Sequence, residues 1–342
     1  MNSPARTNIK DSHKQIPSFA LVKDELTQVK KLINEQLKFS SRGQKDPDIN
    51  QLLESLRNRS GKMIRPGLVL LSYLAVHDAF QGEEVIRVAA CIEMVHHATL
   101  LHDDVIDDGR QRRGKPTINS LWGNESAVLL GDFLLGHVFK LSSELEPRVI
   151  KIIADAAVRL CEGELRQIVQ KDNWQMSETE YINVITEKSA ALFSNSCYLG
   201  AVLTQSDDKQ AKLFADFGLN AGIAFQITDD LLDITGDEKQ TGKTPGRDVD
   251  KRKPTLAVIH LLNTVDKLKR DELINTYLES DISKSKRKMF IEMLKDSGCL
   301  EYASNQAQKY VSRAIHALDE LPESRTKDAL IETAKFMADR TS

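Results

Sequence analysis

The chain has 342 residues with 47 basic and 50 acidic side chains, a net charge of −3 that does not favour nucleic acid as a partner. Hydrophobic residues make up 41%, and the longest nearly apolar run, 67–75, is too short to cross a bilayer. Cys91, Cys161, Cys197 and Cys299 are scattered without C-x-x-C spacing, and the first residues, Met1 to Arg6, hold no apolar signal core. The expectation is reduced thiols and a cytoplasmic protein outside the secretory route.

In chain order, residues 1–18 are polar and proline-punctuated, the pattern of a flexible tail, which leaves 19–342 as a single helical domain. Gly61-Lys62-Met63-Ile64-Arg65-Pro66 reads as a basic turn before an apolar helix starting at Leu68. A helix over 83–108 opens on Glu83 and Glu84, which suit a helix N-terminus, and stops at Gly109. Another begins at Asn124, a good cap, and runs to about Leu145. Ser177-Glu178-Thr179-Glu180 fits a capping box opening the helix that carries Lys188. The next helix spans 208–235 and ends at Gly236, with Gly218, Ala221 and Gly222 allowing close approach of a neighbour. Residues 237–254 break the pattern: glycines and prolines lie among Lys239, Lys243, Arg247, Lys251, Arg252 and Lys253, the texture of a functional loop. Leu/Ala/Glu/Lys runs with few strand-like alternations make the fold class all-α, a bundle of antiparallel helices.

Two acidic stretches carry the chemistry: Asp103-Asp104-Val105-Ile106-Asp107-Asp108 and Asp229-Asp230-Leu231-Leu232-Asp233. Each places carboxylates at i and i+4, one turn apart on one helix face. A single such pair is usually a solvated face, but these two follow apolar helical runs and need a cationic counterpart. Carboxylate oxygens suit Mg²⁺, which shares its remaining positions with water and substrate phosphates. Arg110, Arg112 and Arg113 follow the first stretch, and Lys243 and Lys253 the second. Arginine forks and lysine point charges both bind phosphate oxygens. The chain therefore reads as built to hold a polyphosphate through metal.

With these residues assembled, the chain resembles the trans-isoprenyl diphosphate synthases, specifically the long-chain polyprenyl branch. The resemblance rests on GKMIRP (61–66), EMVHHATLLHDDVIDDGRQRRGKPT (93–117), GNESAVLLGDFLL (123–135), GELRQ (163–167), EKSAALF (187–193), FQITDDLLD (225–233) and GKTPGRDVDKRKPTL (242–256). It implies helices around a central cavity and condensation of isopentenyl diphosphate with an allylic prenyl diphosphate, head to tail, for quinone side chains. It implies Asp103, Asp107 and Asp229 as Mg²⁺ ligands, with Asp104 and Asp233 supporting, around a cluster of roughly three ions. By the same resemblance Arg112, Lys188, Gln226, Lys243 and Lys253 hold the allylic diphosphate, and Lys62, Arg65, His96 and Arg113 the isopentenyl diphosphate. Ser189 stands where the family often has Thr, and Ala257 where it often has Pro. His97 and His102 read as structural. Closure of the 237–254 loop is expected to exclude water from the allylic cation.

Product length should be set on the helix before the first acidic stretch. Thr99 or Ala98, then Val95, then Ile92 or Cys91 lie one turn apart, and a helix rises about 18 Å from Asp103 to Cys91. Short-chain members of the resembling family block this stripe with Phe or Tyr, whereas Ala98 and Thr99 are small. An open tunnel and a long product are expected, with transient membrane contact at release. The alternatives are a floor set by another helix, giving a geranylgeranyl-length or farnesyl product, and a catalytic subunit that needs a small partner. A terpene cyclase shares the first motif but not the second. The resemblance further implies a homodimer, with the 124–145 helix at its interface.

Overall fold

The computed structural model describes residues 16–38, 46–57, 61–112, 114–236, 246–278 and 283–339, apart from the side chains of Arg247 and Lys284. Residues 16–18, expected to belong to the tail, are packed. Ile16 and Ser18 are buried, a 3-10 turn runs Pro17–Val22, and the Ser18 hydroxyl lies 2.8 Å from that of Thr333. Residues 1–15 lie outside the described residues.

Four helices follow: α1 (Lys23–Gln36), α2 (Pro47–Arg57), α3 (Ile64–Leu74) and α4 (Glu84–Ile106). Helix α4 falls within two residues of its expected bounds and is buried around much of its circumference, from Val85 to Leu101, as an apolar central helix should be. A two-residue hairpin comes next, β1 (Gln111–Arg112) against β2 (Lys115–Pro116), which the helical pattern does not predict. Then come α5 (Ile118–Trp122), α6 (Asn124–Ser142) and α7 (Pro147–Val169). Helix α8 (Glu178–Ile185) opens with the expected capping box: Glu180 N–H donates to Ser177 Oγ at 3.2 Å and Ser177 N–H to Glu180 Oε2 at 2.8 Å. It does not itself carry Lys188. The chain widens into a π-helical turn, Thr186–Ala190, before α9 (Ala191–Val202).

Helix α10 (Asp208–Thr235) has the expected bounds, its first turn capped by Asp207 Oδ1, which accepts from Gln210 N–H at 2.7 Å. The remainder is α11 (Arg247–Asp250), α12 (Leu256–Thr264), α13 (Lys267–Leu273) with a second π-helical turn at Ile274–Leu278, α14 (Lys284–Asp296), α15 (Cys299–Ala317) and α16 (Arg325–Ala338). The all-α expectation holds. Helix α10 packs against both α9 and α15. A Cβ on Gly218 would stand 2.5 Å from Phe193 O, and one on Gly222 would stand 2.7 Å from Ala190 Cα. The α9–α10 seam thus admits no side chain at either position.

Helix α10 also joins two apolar clusters. Phe214, Phe217 and Ala221 belong to a cluster with residues of α3, α4, α6 and α9, while Ile223, Ile227 and Ile234 belong to one with α8, α12, α14 and α15. Fully buried rings such as Phe193, Phe214 and Phe217 each contribute about 1.5–3 kcal/mol by leaving water. The C-terminal turns of α4 and α10 deliver their acids to one cavity, whose walls draw on both clusters.

Candidate active site

The end of α4 is folded back on itself by short bonds. Gly109 N–H donates to Asp104 O at 2.8 Å, Asn119 Nδ2 donates to the same carbonyl at 3.0 Å, and Thr117 Oγ1 donates to Gly109 O at 2.6 Å. The β-hairpin then returns Arg112 to Asp104, with Nη2 at 2.8 Å and Nε at 3.1 Å from Oδ1. Asp104, expected as a supporting metal ligand, is buried and holds this guanidinium. Burial opposes the charge on Arg112, yet Asp104, with Asp103 and Asp229 nearby, raises its pKa above the ordinary value.

The neighbouring acids differ in state. Burial pushes Asp103 up to about 7, with Glu164 and Asp107 adding and Lys188 and Arg112 opposing. Burial acts the same way on Asp107, but two lysines outweigh it and bring the group to about 2. Lys253 Nζ lies 3.0 and 2.9 Å from the two Asp107 oxygens, and Lys251 Nζ lies 2.9 Å from Oδ2.

At the end of α10, Asp230 is met by neutral groups. Tyr181 Oη donates to Asp230 Oδ2 at 2.6 Å, and Gln226 Nε2 donates to Oδ1 at 2.8 Å. Ser189 Oγ in turn donates to Gln226 Oε1 at 2.6 Å. Burial, reinforced by Asp248 and Asp229, raises Asp230 to about 8. Asp233 Oδ2 accepts the backbone N–H of Asp248 at 2.9 Å, which ties the start of α11 to α10. Lys188 projects from the π-helical turn to Glu164 and Gln167 on α7, at 2.6 Å each. Burial works against its charge, but Asp103 and Glu164 hold its pKa above the ordinary lysine value.

These side chains surround one cavity of about 1490 Å³. It brings together the expected Asp103, Asp104, Asp107, Arg112, Lys188, Ser189, Gln226, Asp229, Asp233 and Lys253, and also Lys62, Arg65 and His96. Lys62 Nζ sits 4.7 Å above the ring of Phe336, and Arg65 Cζ sits 4.1 Å above that of Phe193, so aromatic faces steady both cations. Lys243 and Arg113 lie outside the described residues, as does the 237–245 part of the expected closing loop. His97 lines the cavity too, 3.3 Å from the buried carboxylate of Glu93, while His102 meets Val128 O at 3.2 Å.

The stripe expected to set product length divides between cavity and core. Thr99 lines the cavity, but Ala98 and Val95 are each 1% exposed and Cys91 and Ile92 wholly buried. The reason is the same apolar packing that buries α4 on nearly every side. The sequence reading also passed over Glu164, Gln167, Tyr181, Asp230, Asp248 and Lys251 as site residues, all of which line the cavity. Glu164 and Gln167 stand at i and i+3 within the GELRQ segment, a signal that could have found them. Tyr181 carried none.

The donor set suits a hard cation. Asp103, Asp107, Asp229 and Asp233 supply oxygen alone, from two helix ends in one cavity; Asp103, Asp107 and Asp233 are half-buried and Asp229 is exposed. Among the described residues no three His, Cys, Asp or Glu side chains converge as a closed metal cage.

A helical frame with two carboxylate-bearing helix ends and a surround of cations is the architecture of an enzyme that handles diphosphates. Residues 46–294 match the polyprenyl synthetase family. Over 293 residues the chain is 34% identical to the octaprenyl diphosphate synthase of Escherichia coli (strain K12), covering 85% of this chain and 90% of that one. Over 286 residues it is 34% identical to component 2 of the heptaprenyl diphosphate synthase of Bacillus subtilis (strain 168), covering 83% and 80%. The crystal structure of a polyprenyl synthase from Caulobacter crescentus CB15, complexed with calcium and isoprenyl diphosphate, matches with a TM-score of 0.88 at 29% identity, covering 95% of this chain and 97% of that one. The chain belongs to the polyprenyl synthetase family and is a prenyltransferase.

Proposed function

We propose that the protein condenses isopentenyl diphosphate with an allylic prenyl diphosphate to give a long-chain all-trans polyprenyl diphosphate. The observation that carries this reading is the single cavity in which the α4 and α10 acids meet Arg112, Lys188 and Lys253, with Lys62, Arg65 and His96 on the same wall system. Asp103, Asp107, Asp229 and Asp233 would hold Mg²⁺, with a cluster of roughly three ions matching so many carboxylates. Mg²⁺ held there would supply Lewis acidity to the leaving diphosphate.

Arg112, Lys188 and Lys253, with Gln226 and Ser189, orient the allylic diphosphate and balance its charge as the C–O bond opens, with the electron pair leaving on oxygen. Lys62, Arg65 and His96 hold the second diphosphate, so that the isopentenyl double bond faces the allylic cation and forms the new C–C bond. The proton lost from the adjacent carbon passes to the departed diphosphate. Leu100, Leu192 and Phe225 supply apolar wall that keeps water from the cation.

Thr99, small and at the cavity wall, leaves room for a growing tail, and the octaprenyl and heptaprenyl relatives support a long product. A geranylgeranyl-length product is the second reading, favoured by the burial of Ala98 and Val95. Leu129 and Phe139, 67% and 68% exposed on α6, support a homodimer through that helix, and a product with a long apolar tail implies transient membrane contact on release. Four unpaired cysteines, three of them buried, fit the cytoplasm. The test is incubation of the purified chain with Mg²⁺, isopentenyl diphosphate and farnesyl diphosphate, then mass measurement of the products. Long polyprenyl diphosphates are expected. A product that stops at geranylgeranyl length would select the second reading, and activity only with an added small subunit would make the chain one component of two.

A further inference from the structure

Four side chains from three elements form one line of hydrogen bonds along the cavity wall. Tyr181 Oη on α8 donates to Asp230 Oδ2 at 2.6 Å, and Gln226 Nε2 donates to Asp230 Oδ1 at 2.8 Å. Ser189 Oγ, from the π-helical turn, donates to Gln226 Oε1 at 2.6 Å. All four residues line the cavity, and Tyr181 is only 2% exposed.

The line fixes which way the Gln226 amide faces. A carboxamide has a donor end and an acceptor end, which a flip of the side chain exchanges. Asp230, one turn further along α10, presents Oδ1 to one end, and Ser189 presents a hydroxyl to the other. Turned over, the amide would set its oxygen against a carboxyl oxygen. Asp230 imposes this choice only while its own carboxyl group is kept from rotating, and the Tyr181 phenol occupies the second oxygen. Whichever atom of that pair carries the proton, Oδ2 is taken and Oδ1 is left for the amide. Nε2 bears two N–H groups, of which Asp230 uses one. The other is left for an oxygen of a molecule in the cavity.

The phenol is itself held from behind. Its ring packs in an apolar cluster with Trp174, Met176 and Ile185. One turn earlier on α8, Glu178 Oε2 accepts from Tyr302 Oη at 2.6 Å, and the His260 ring stacks on that of Tyr302 with centroids 3.6 Å apart. The start of α8 is thereby tied to α12 and α15, and Tyr181 reaches Asp230 from a fixed frame.

We propose that Tyr181 is a positioning residue for the allylic diphosphate, acting through Asp230 to keep a Gln226 N–H turned towards it. This rests on the prenyltransferase reading of the cavity, which gives Gln226 that diphosphate to hold. A buried tyrosine that merely satisfies Asp230 makes a different forecast, because its loss would not be felt through Gln226.

The experiment is a double-mutant cycle on the full chain: wild type, Tyr181→Phe, Gln226→Met and the pair. Calorimetry gives Kd for farnesyl diphosphate with Mg²⁺, and steady-state assays give KM for both substrates. Tyr181→Phe keeps the ring and removes one oxygen. Kd and KM for farnesyl diphosphate should rise about fivefold, part of the worth of one charge-assisted hydrogen bond, while KM for isopentenyl diphosphate stays put. In the Gln226→Met background the same change should add less than about twofold, since the amide that it positions is gone. Equal losses in both backgrounds, or an unchanged Kd with a lowered Tm, would overturn the proposal. A wild type that binds farnesyl diphosphate yet forms no prenyl product would instead overturn the functional reading, and the cycle in Kd would still read the role of Tyr181.

Discussion

The acids at the end of α4 and those at the end of α10 look alike in sequence, yet Asp107 on the first and Asp230 on the second are kept in opposite ways. At α4 the carboxylates are met by cations: Arg112 on Asp104, Lys251 and Lys253 on Asp107. At α10 the best-defined acid, Asp230, is met by a phenol and an amide, and Asp233 accepts a backbone N–H. Ion pairing holds Asp107 down at about 2, while burial with neutral partners lets Asp230 rise to about 8. Asp107 is held charged by the protein itself, whereas Asp230 is held towards its neutral form. The spacing of aspartates alone cannot separate these states, because the partners come from α7, α8, β1 and the segment after α10.

The largest test of that contrast is a pair of amide substitutions. Asp107→Asn should lower kcat on the order of 10³-fold, since it removes a carboxylate that Lys251 and Lys253 keep charged at the reacting diphosphate. Asp230→Asn should lower it only about tenfold, because the acid it replaces is already largely neutral near pH 7. Equal losses in steady-state assays would erase the distinction between the two ends.

A second test follows stability with pH in the metal-free protein. Asp103 and Asp230 have folded-state values raised to about 7 and about 8, so between about pH 4 and 8 the folded chain binds more protons than the unfolded one. Stability should therefore fall as pH rises through that window, and Tm should be lower at about pH 8.5 than at about pH 6. Asp107, lowered to about 2, acts in the other direction: its contribution is present above about pH 4 and is lost as pH falls towards 2. Asp230→Asn should flatten the alkaline limb in thermal scans. A limb of unchanged slope would mean that Asp230 ionises freely.

The smallest effect separates two adjacent positions on α4. Thr99→Phe should shorten the product with little change in Tm, because Thr99 faces the cavity. Ala98→Phe should instead destabilise the fold by about 1–3 kcal/mol through overpacking, since Ala98 is 1% exposed. Product mass and denaturant midpoints read the two outcomes, and a shortened product from Ala98→Phe alone would return the ruler to the stripe first expected.

Much of the frame was legible because local signals coincide there. Asp207 and Gly236 bracket α10, Ser177 and Glu180 cap α8, and the glycines of α10 mark a seam that tolerates no Cβ. The acids, Lys188, Lys253 and the Lys62–Arg65 pair were readable as residue types. What the sequence did not disclose is who meets whom. Tyr181 finds Asp230 across 49 positions and Lys253 finds Asp107 across 146. Pairings at such separations are set by tertiary packing and leave no periodic trace. The hairpin at Arg112 is too short to register as a strand, and the π-helical turn at Lys188 has the composition of ordinary helix. Small size at Ala98 does not by itself tell a lining position from a packed one, and Ala98 is 1% exposed.

Gly163 on α7 shows how little freedom surrounds that π-helical turn. A Cβ there would stand 2.3 Å from Lys188 N and 2.6 Å from Lys188 Cα, so backbone lies against backbone. In mutational drift this makes position 163 a dead end: even alanine, the mildest exchange and a better helix former by about 0.5–1 kcal/mol, would have to shove the lysine's own main chain aside. Variation in such an enzyme is then channelled away from the diphosphate end and towards the apolar far side of the cavity. A lineage could change the length of what it makes many times over while the grip on the leaving group stays fixed by a single missing methyl.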